Sequence, residues 1–260
     1  MEQRFNLAKT KFETYYASFE GLAEEQKKNF AIKKDHSLRV AEMTLHLAEQ
    51  LNLSKEEKYL AYLIGLFHDI GRFKQLVDYN TFDDTKSVDH AGLSLEVLKE
   101  QNYLSELSDQ QTDIVLCAIE WHNKRELPKN LSEEKLLFAR LIRDADKLDI
   151  FKVLCDYYTN PKAIANHTLT WEMPKGSVVS PTVKKQILKG GLVAKENITN
   201  ELDIKVMQLS WVYDFNFKAS FNEIISKRYL EKIYNSMPKN DSVIEIYRRV
   251  KVYSQNKFIA

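Results

Sequence analysis

Apolar residues recur at intervals of three or four through most of the chain, and this spacing predicts amphipathic α-helices. Residues 4–20 carry one such stripe, and Gly21 is expected to end that helix. Residues 33–51 carry a second stripe, whose apolar positions are Val40, Met43, Leu47 and Leu51. The beginning of the chain is therefore expected to contain two helices.

A third helix is predicted from Ser54, because Glu57 three residues later completes a capping box. Its apolar run, YLAYLIGLF, ends at the adjacent pair His68-Asp69. Ionisable residues at the end of a hydrophobic segment are costly to bury unless a partner compensates them. Residues 72–88 mix polar residues with turn formers, which predicts mostly loop.

The rest of the chain also shows helical spacing, with no internal repeat and no flexible linker. Helix starts are expected at Ser87, Asp109, Ser132 and Ser180-Pro181, and C-terminal helices at 202–213, 220–234 and 241–253. The predicted fold is all-α. Its parts are a motif-bearing core at 22–160, a helical extension at 161–260, and an N-terminal helix within 1–21 that belongs to the same globule.

Composition supports a helical fold and narrows the classes of function. The 260 residues are 44% hydrophobic and include seven glycines and five prolines, which is typical of a helical domain with a sizeable core. The formal net charge of +1 gives no global attraction to nucleic acid or to an anionic membrane. Cys117 and Cys155 form neither a CxxC motif nor a disulfide framework. Because no apolar stretch resembles a signal peptide or a membrane span, we expect a cytoplasmic protein.

Four of the six histidines fall on apolar helix faces or at the ends of apolar helices. They are His36, His68, His90 and His122, each on a different predicted helix. The other two differ, since His46 has charged helical neighbours and His167 stands in an irregular segment. Only the first four are expected to point towards a core or a cavity within it.

A single histidine on an apolar face is usually a hydrogen-bonded core residue. Four on separate helices, next to Asp69, are harder to explain independently, because each unpaired imidazole would cost about 1–3 kcal/mol of desolvation. A shared divalent ion satisfies them together, since neutral imidazole and carboxylate are good ligands for first-row metals. The pattern therefore predicts a metal site among the helices.

The order of these residues resembles the HD superfamily of metal-dependent phosphohydrolases. The matching segments are HSLRVAEMTLHLAEQLN, YLIGLFHDIGRF and ARLIRDADKLDIF, extended by SVDHAGLS and AIEWHN. Together they give the pattern H…HD…H…H…D, which is similar to the two-metal subset that includes the cyclic-dinucleotide phosphodiesterases. The resemblance covers residues 30–155 and implies an HD-domain helical bundle.

The resemblance also implies a ligand set and a reaction. One metal would be held by His36, His68, Asp69 and Asp146, and Asp69 would bridge to a second ion bound by His90 and His122. A carboxylate has two oxygens and can ligate two ions about 3.5–4 Å apart. Asp69 and His68 are the residues expected to be catalytic. One or two divalent ions (Mn, Fe, Ni, Co or Mg) would activate a bridging hydroxide as the nucleophile.

The residues alone leave the late aspartate open, since Asp144 and Asp146 both have apolar residues one turn earlier. The family's aspartate stands in an A-D-x-L context, which residues 145–148 reproduce, so the resemblance favours Asp146. Asp144 and Asp149 are then expected beside the ligands or at the surface.

Four residues near the ligand motifs are candidate substrate contacts. Arg72 follows HDIG, where related phosphodiesterases usually carry lysine, and its guanidinium either binds a phosphate or interacts with the helix dipole. Tyr79 and Lys86 lie in the predicted loop between ligand-bearing helices, where an ordinary solvated role is the alternative. Lys147 adjoins the late aspartate and would meet a phosphate or only a carboxylate. The GYP motif of many cyclic-di-GMP phosphodiesterases is absent from the sequence.

The expected function is hydrolysis of a phosphomonoester or phosphodiester in a nucleotide or related small metabolite. The ligand pattern is also similar to that of di-iron oxygenases of the superfamily, such as myo-inositol oxygenase, and substrate-dependent oxygen uptake would separate the two. A third hypothesis is a non-catalytic nucleotide-binding module, which the intact ligand set disfavours. The aromatic segment 211–221 indicates a core or a homodimer contact, and no membrane or nucleic-acid partner is expected.

Overall fold

The computed structural model of the chain describes residues 2–160, 162, 171 and 173–259, so His167 lies outside the described residues. These residues form α-helices and short 3-10 helices without a strand among them, which confirms the all-α fold. The α-helices are α1 (Glu2–Ala17), α2 (Glu24–Gln50), α3 (Lys55–Phe67), α4 (Gly71–Tyr79), α5 (His90–Glu100), α6 (Asp109–Trp121), α7 (Glu133–Thr159), α8 (Pro181–Leu188), α9 (Glu201–Ser210), α10 (Lys218–Ser226), α11 (Tyr229–Asn235) and α12 (Asp241–Ile259). The 3-10 helices are Asp84–Lys86, Lys195–Asn197 and Trp211–Asp214.

The chain divides into two compact units, Met1–Asp146 and Lys147–Ala260, and the division falls inside α7. All six expected metal ligands belong to the first unit. The sequence-based division into 22–160 and 161–260 stays a prediction. Within the described part of the chain, no helix is both long and apolar enough to cross a membrane.

The first unit is organised around α3, in which every residue from Tyr59 to Phe67 is buried. Helix α2 approaches α3 at Gly65, where an added Cβ would lie 2.4 Å from Thr44 Oγ1 and 2.8 Å from Ala41 Cα. Only glycine permits this close approach. The last turn of α3, which leads to His68, is therefore held directly against α2.

The segment 72–88 was predicted as loop, and this prediction is wrong for its first half, which forms α4. Phe73 and Leu76 are the inward apolar positions of this helix. Gln75 lies between them and is also buried, which interrupts the apolar pattern in the sequence. Its amide nitrogen donates to Asp84 Oδ1 at 2.9 Å and to the carbonyl of Val88 at 3.0 Å, so its burial is compensated.

Two helix starts also differ from prediction by one or two residues. Asp89 caps α5, accepting from the Gly92 amide at 3.2 Å, whereas Ser87 donates to the carbonyl of Asp83 instead. Ser108 caps α6, one residue before the predicted Asp109. The capping box of Ser54 is confirmed, and so are starts after Ser132 and Ser180.

The second unit contains the end of α7 and helices α8–α12. Arg228 adopts a left-handed conformation with φ of 56°, which splits the predicted helix 220–234 into α10 and α11. Phe151 stacks on Tyr229 with ring centroids 6.1 Å apart, and Phe215 and Phe221 are buried. The aromatic segment 211–221 thus contributes to the core of this unit.

Candidate metal centre

The six predicted ligands come from five helices or their ends. His36 lies in α2, His68 and Asp69 follow α3, His90 begins α5, His122 follows α6 and Asp146 lies in α7. The four histidines and Asp69 are buried. Apolar packing of these helices therefore brings several polar side chains into one small volume, as the sequence predicted.

Asp69 lies at the centre of the cluster, and its two oxygens face different histidines. Oδ2 is 3.7 Å from His36 Nε2 and 3.8 Å from His68 Nε2. Oδ1 is 3.4 Å from His90 Nε2 and 3.8 Å from His122 Nε2. One carboxylate thus joins two pairs of imidazoles, as a ligand shared by two ions would.

The late aspartate beside the first histidine pair is Asp146. Its Oδ1 lies 3.2 Å from His36 Nε2 and 3.9 Å from His68 Nε2. These three side chains form a group with ligand atoms close enough to share an ion. Asp144 and Asp149 are both buried rather than at the surface.

Three of the histidines have their Nδ1 atom fixed by an acceptor. His68 Nδ1 donates to the carbonyl of Gly65 at 2.8 Å, and His122 Nδ1 donates to that of Ile119 at 2.6 Å. His90 Nδ1 donates to Asp84 Oδ2 at 2.6 Å. Because each Nδ1 carries the proton in this arrangement, each Nε2 presents a lone pair towards Asp69, as in metal-binding histidines.

These lone pairs fit a divalent ion. His68 Nε2 is buried without a hydrogen-bond partner, and the Nε2 atoms of His90 and His122 face each other at 3.1 Å. Two acceptor nitrogens at that distance repel unless a cation or proton lies between them. Nitrogen and oxygen ligands bind divalent zinc-sized ions at about 2.0–2.2 Å, so neighbouring donors around one ion are separated by about 3 Å. The donor set therefore suits a metal in both chemistry and spacing.

The protonation states also suit metal binding. Burial lowers the pKa of His68 to about 3, which keeps its imidazole neutral. Burial alone would raise the pKa of Asp69, but the cations Lys33 and Arg72 hold it well below its usual range. Neutral imidazole and ionised carboxylate are the forms that bind metal without first releasing a proton.

Arg72 is the predicted substrate contact that lies at the ligand cluster. Its Nε is 3.6 Å from Asp69 Oδ1. Its Nη1 donates to the carbonyl of Phe82 at 2.6 Å, to Gln75 Oε1 at 2.7 Å and to Asp84 Oδ1 at 2.8 Å. The guanidinium is thus fixed at one end while the other end faces the centre.

The other three predicted substrate contacts have different surroundings. Tyr79 is the last residue of α4 and is 46% exposed. The Lys86 side chain is 75% exposed and lies 3.7 Å from Asp83. Lys147 pairs with Asp214 at 2.7 Å within the second unit, which is the carboxylate alternative considered for it. A substrate role for these three stays a prediction.

Three residues at the centre were missed by the sequence analysis. Lys33 Nζ lies 2.7 Å from Asp69 Oδ2, and its position one turn before His36 on the same helix was a usable signal. Asp84 orients His90 from within a segment predicted as loop. Arg143 donates from α7 to the backbone carbonyls that follow α6, including that of His122 at 3.5 Å. No sequence pattern indicated the last two.

One comparison with known proteins, that with family models, supports this site. Residues 34–150 match the family model of the HD domain, and they include all six predicted ligands. No curated protein and no solved structure matches the chain. The HD domain indicates a superfamily of metal-dependent hydrolase type, and the clustered histidines and aspartates are compatible with metal binding. Residues 34–150 of this chain are therefore an HD domain.

Proposed function

We propose that this protein hydrolyses a phosphate ester of a small metabolite, with a nucleotide as the expected substrate class. The observation that carries the proposal is the Asp69 carboxylate, whose two oxygens face two separate histidine pairs at 3.4–3.8 Å. The site would hold divalent ions through His36, His68, Asp69, His90, His122 and Asp146. Such ions polarise a phosphoryl oxygen and supply a nucleophile from water at neutral pH.

Arg72 supports an anionic substrate. Its Nε is buried without a hydrogen-bond partner, although its Nη1 is fully engaged. A guanidinium fixed in this way can donate to a phosphate without first becoming ordered, and guanidinium groups can bind phosphate bidentately. This cation at the ligands favours a phosphate ester over a neutral polyol, the kind of substrate that an inositol oxygenase takes.

The Ser94 hydroxyl on α5 is engaged by backbone groups and is not available as a nucleophile. This hydroxyl lies 2.9 Å from the carbonyls of both His68 and His90. It also accepts from the Gly71 amide at 3.0 Å. Ser94 therefore holds α5 against the start of α4, and direct hydrolysis without a covalent intermediate on this side chain is proposed.

Phosphate release tests the proposal. Wild type and Asp69→Ala would be compared on nucleotides and simple phosphate esters with each candidate metal added. Asp78→Ala is the matched control, because Asp78 is an exposed aspartate paired with Lys74 at the surface. We expect metal-dependent release by wild type and control and its loss in Asp69→Ala. The proposal would be contradicted if no tested compound released phosphate while the iron-loaded protein showed substrate-dependent oxygen uptake.

A further inference from the structure

Lys33 contacts the oxygen of Asp69 that faces the first histidine pair. Its Nζ lies 2.7 Å from Asp69 Oδ2, the atom that also faces His36 and His68. The Lys33 side chain is 20% exposed, whereas that of Asp69 is 4% exposed. The ammonium therefore reaches from the solvent-accessible side of the site to a buried carboxylate.

When no metal is bound, the ion pair between Lys33 and Asp69 compensates the buried charge of the carboxylate. A buried carboxylate without a counter-charge is strongly unfavourable, and Lys33 supplies the closest cation to Asp69 Oδ2. A divalent ion bound between Asp69, His36 and His68 would require the same oxygen. Because two cations at one oxygen repel each other, metal binding and the Lys33 contact compete.

The Lys33 ammonium and the Arg72 guanidinium both lie near the aromatic ring of Phe82. Lys33 Nζ is 5.5 Å from the centroid of this ring, and the Arg72 guanidinium carbon is 5.9 Å from the same centroid. The flexible stem of lysine lets its ammonium move by bond rotation without a change in the backbone. The two cations thus flank one aromatic ring next to Asp69.

We propose that Lys33 is an exchangeable counter-cation of the metal centre. In the metal-free protein it neutralises Asp69, and when divalent ions take over that oxygen, its ammonium binds the anionic group of the substrate together with Arg72. The second half rests on the proposed function, since it assumes a phosphate-bearing substrate. A purely structural ion pair would instead leave phosphate binding unchanged when Lys33 is replaced.

Lys33→Met and Lys34→Met form a matched pair of variants. Lys34 is the next residue on α2, and its Nζ lies 4.7 Å from the centroid of the Tyr16 ring rather than at the ligands. Both substitutions remove one positive charge and retain an unbranched side chain. Calorimetric titration would measure the affinity of each full-length protein for Mn²⁺, and then of the Mn²⁺-loaded protein for inorganic phosphate.

Opposite shifts are expected in the two titrations. Relative to Lys34→Met, Lys33→Met should bind Mn²⁺ about tenfold more tightly, because a competing cation is gone. The loaded variant should bind inorganic phosphate about tenfold more weakly, because a charged donor is gone. Equal Mn²⁺ affinities or equal phosphate affinities in the two variants would overturn the proposal.

A second variant and the choice of binding measurements allow the test to decide even if Lys33→Met misfolds or the protein shows no turnover. If Lys33→Met does not fold without metal, Lys33→Gln retains a donor for Asp69, and the same two shifts are expected of it. Neither titration measures turnover, so a protein that releases no phosphate from any ester could still show the exchange of Mn²⁺ for Lys33. Conversely, if the protein hydrolyses an ester but Lys33→Met has unchanged affinities for Mn²⁺ and phosphate, this inference is wrong and the proposed function is unaffected.

Discussion

At the scale of single residues, the centre depends on partners that decide which ligand atoms face Asp69. Backbone carbonyls fix the rings of His68 and His122, whereas a carboxylate, Asp84, fixes that of His90. Asp84 also accepts from Arg72 at 2.8 Å. One side chain therefore orients both a predicted ligand and a predicted substrate contact.

Replacing Asp84 by asparagine should weaken metal binding about 10–100-fold while the fold is retained, because the oriented, charge-assisted contact to His90 is lost. Titration with Mn²⁺ would measure the affinity. Asp78→Asn, an exposed aspartate on α4, is the control and should behave like wild type. Equal affinities for Asp84→Asn and the control would show that His90 does not need this partner.

The stability of the metal-free protein should fall in mild acid because of His68. Burial lowers its pKa to about 3 from an unfolded value of about 6.5. Between these values the unfolded state binds the extra proton, so this contribution is complete above pH 6.5 and is lost as the pH falls. At about 1.4 kcal/mol per pH unit, roughly 2 kcal/mol should be lost between pH 6.5 and pH 5.

Urea unfolding of metal-free wild type and His68→Asn at the two pH values would measure this contribution. The loss of unfolding free energy should be smaller in the variant, which has no imidazole to protonate. The same pH dependence in both proteins would show that His68 is not the group responsible.

The clustering of most predicted ligands could be anticipated from the sequence, because these residues lie on helices whose apolar faces fix the side-chain direction. His36 shares a face with Val40, and His68 ends a fully apolar run. Asp84 could not be predicted, because its contact with His90 depends on the path of the chain after α4. The choice between Asp144 and Asp146 needed the family context, since both have similar helical neighbours.

At the scale of elements, α4 and α5 approach closely enough to place His90 beside Asp69. An added Cβ at Gly71 would lie 2.5 Å from the Ser94 backbone nitrogen and 2.8 Å from the His90 carbonyl oxygen. Both are backbone atoms, so the helices would have to move apart. Helix α4 itself was missed from the sequence, because its buried Gln75 interrupts the apolar stripe.

Gly71→Ala should therefore lower the free energy of unfolding by about 1–3 kcal/mol and also weaken metal binding, since the added methyl pushes against the backbone that carries His90. Gly92→Ala is the matched control on α5. A Cβ there meets only Asp89 Oδ2 at 3.5 Å, so this change should stabilise the protein by about 0.5–1 kcal/mol. Urea unfolding and Mn²⁺ titration would measure both, and equal behaviour of the two variants would contradict the packing argument.

At the scale of the whole molecule, the six predicted ligands all belong to the unit that ends at Asp146. The sequence pattern placed a boundary at the end of α7, because it detects helix ends and turn residues. The two compact units meet inside that helix, at a position that no local pattern marks. The overall charge near neutrality also hides the local charge of the centre, where Lys33 and Arg72 lie beside Asp69.

Bound metal should accordingly slow the hydrogen exchange of backbone amides more in the first unit than in the second. Hydrogen exchange of backbone amides, followed by mass spectrometry with and without Mn²⁺, should slow in the peptides around His36, His68, His90 and His122. Peptides from α9 to α12 should change little, because these helices carry none of the predicted ligands. Equal protection throughout, or protection confined to the second unit, would contradict this placement of the centre.

The metal content of the protein tests the central claim most directly. Wild type, Asp69→Asn and the control Asp78→Asn would be dialysed to equilibrium against Mn²⁺, and the bound metal counted per chain. The arrangement of Asp69 between two histidine pairs predicts two ions in wild type and control and the loss of both in Asp69→Asn. No bound ion in wild type, or the same content in Asp69→Asn, would contradict the account.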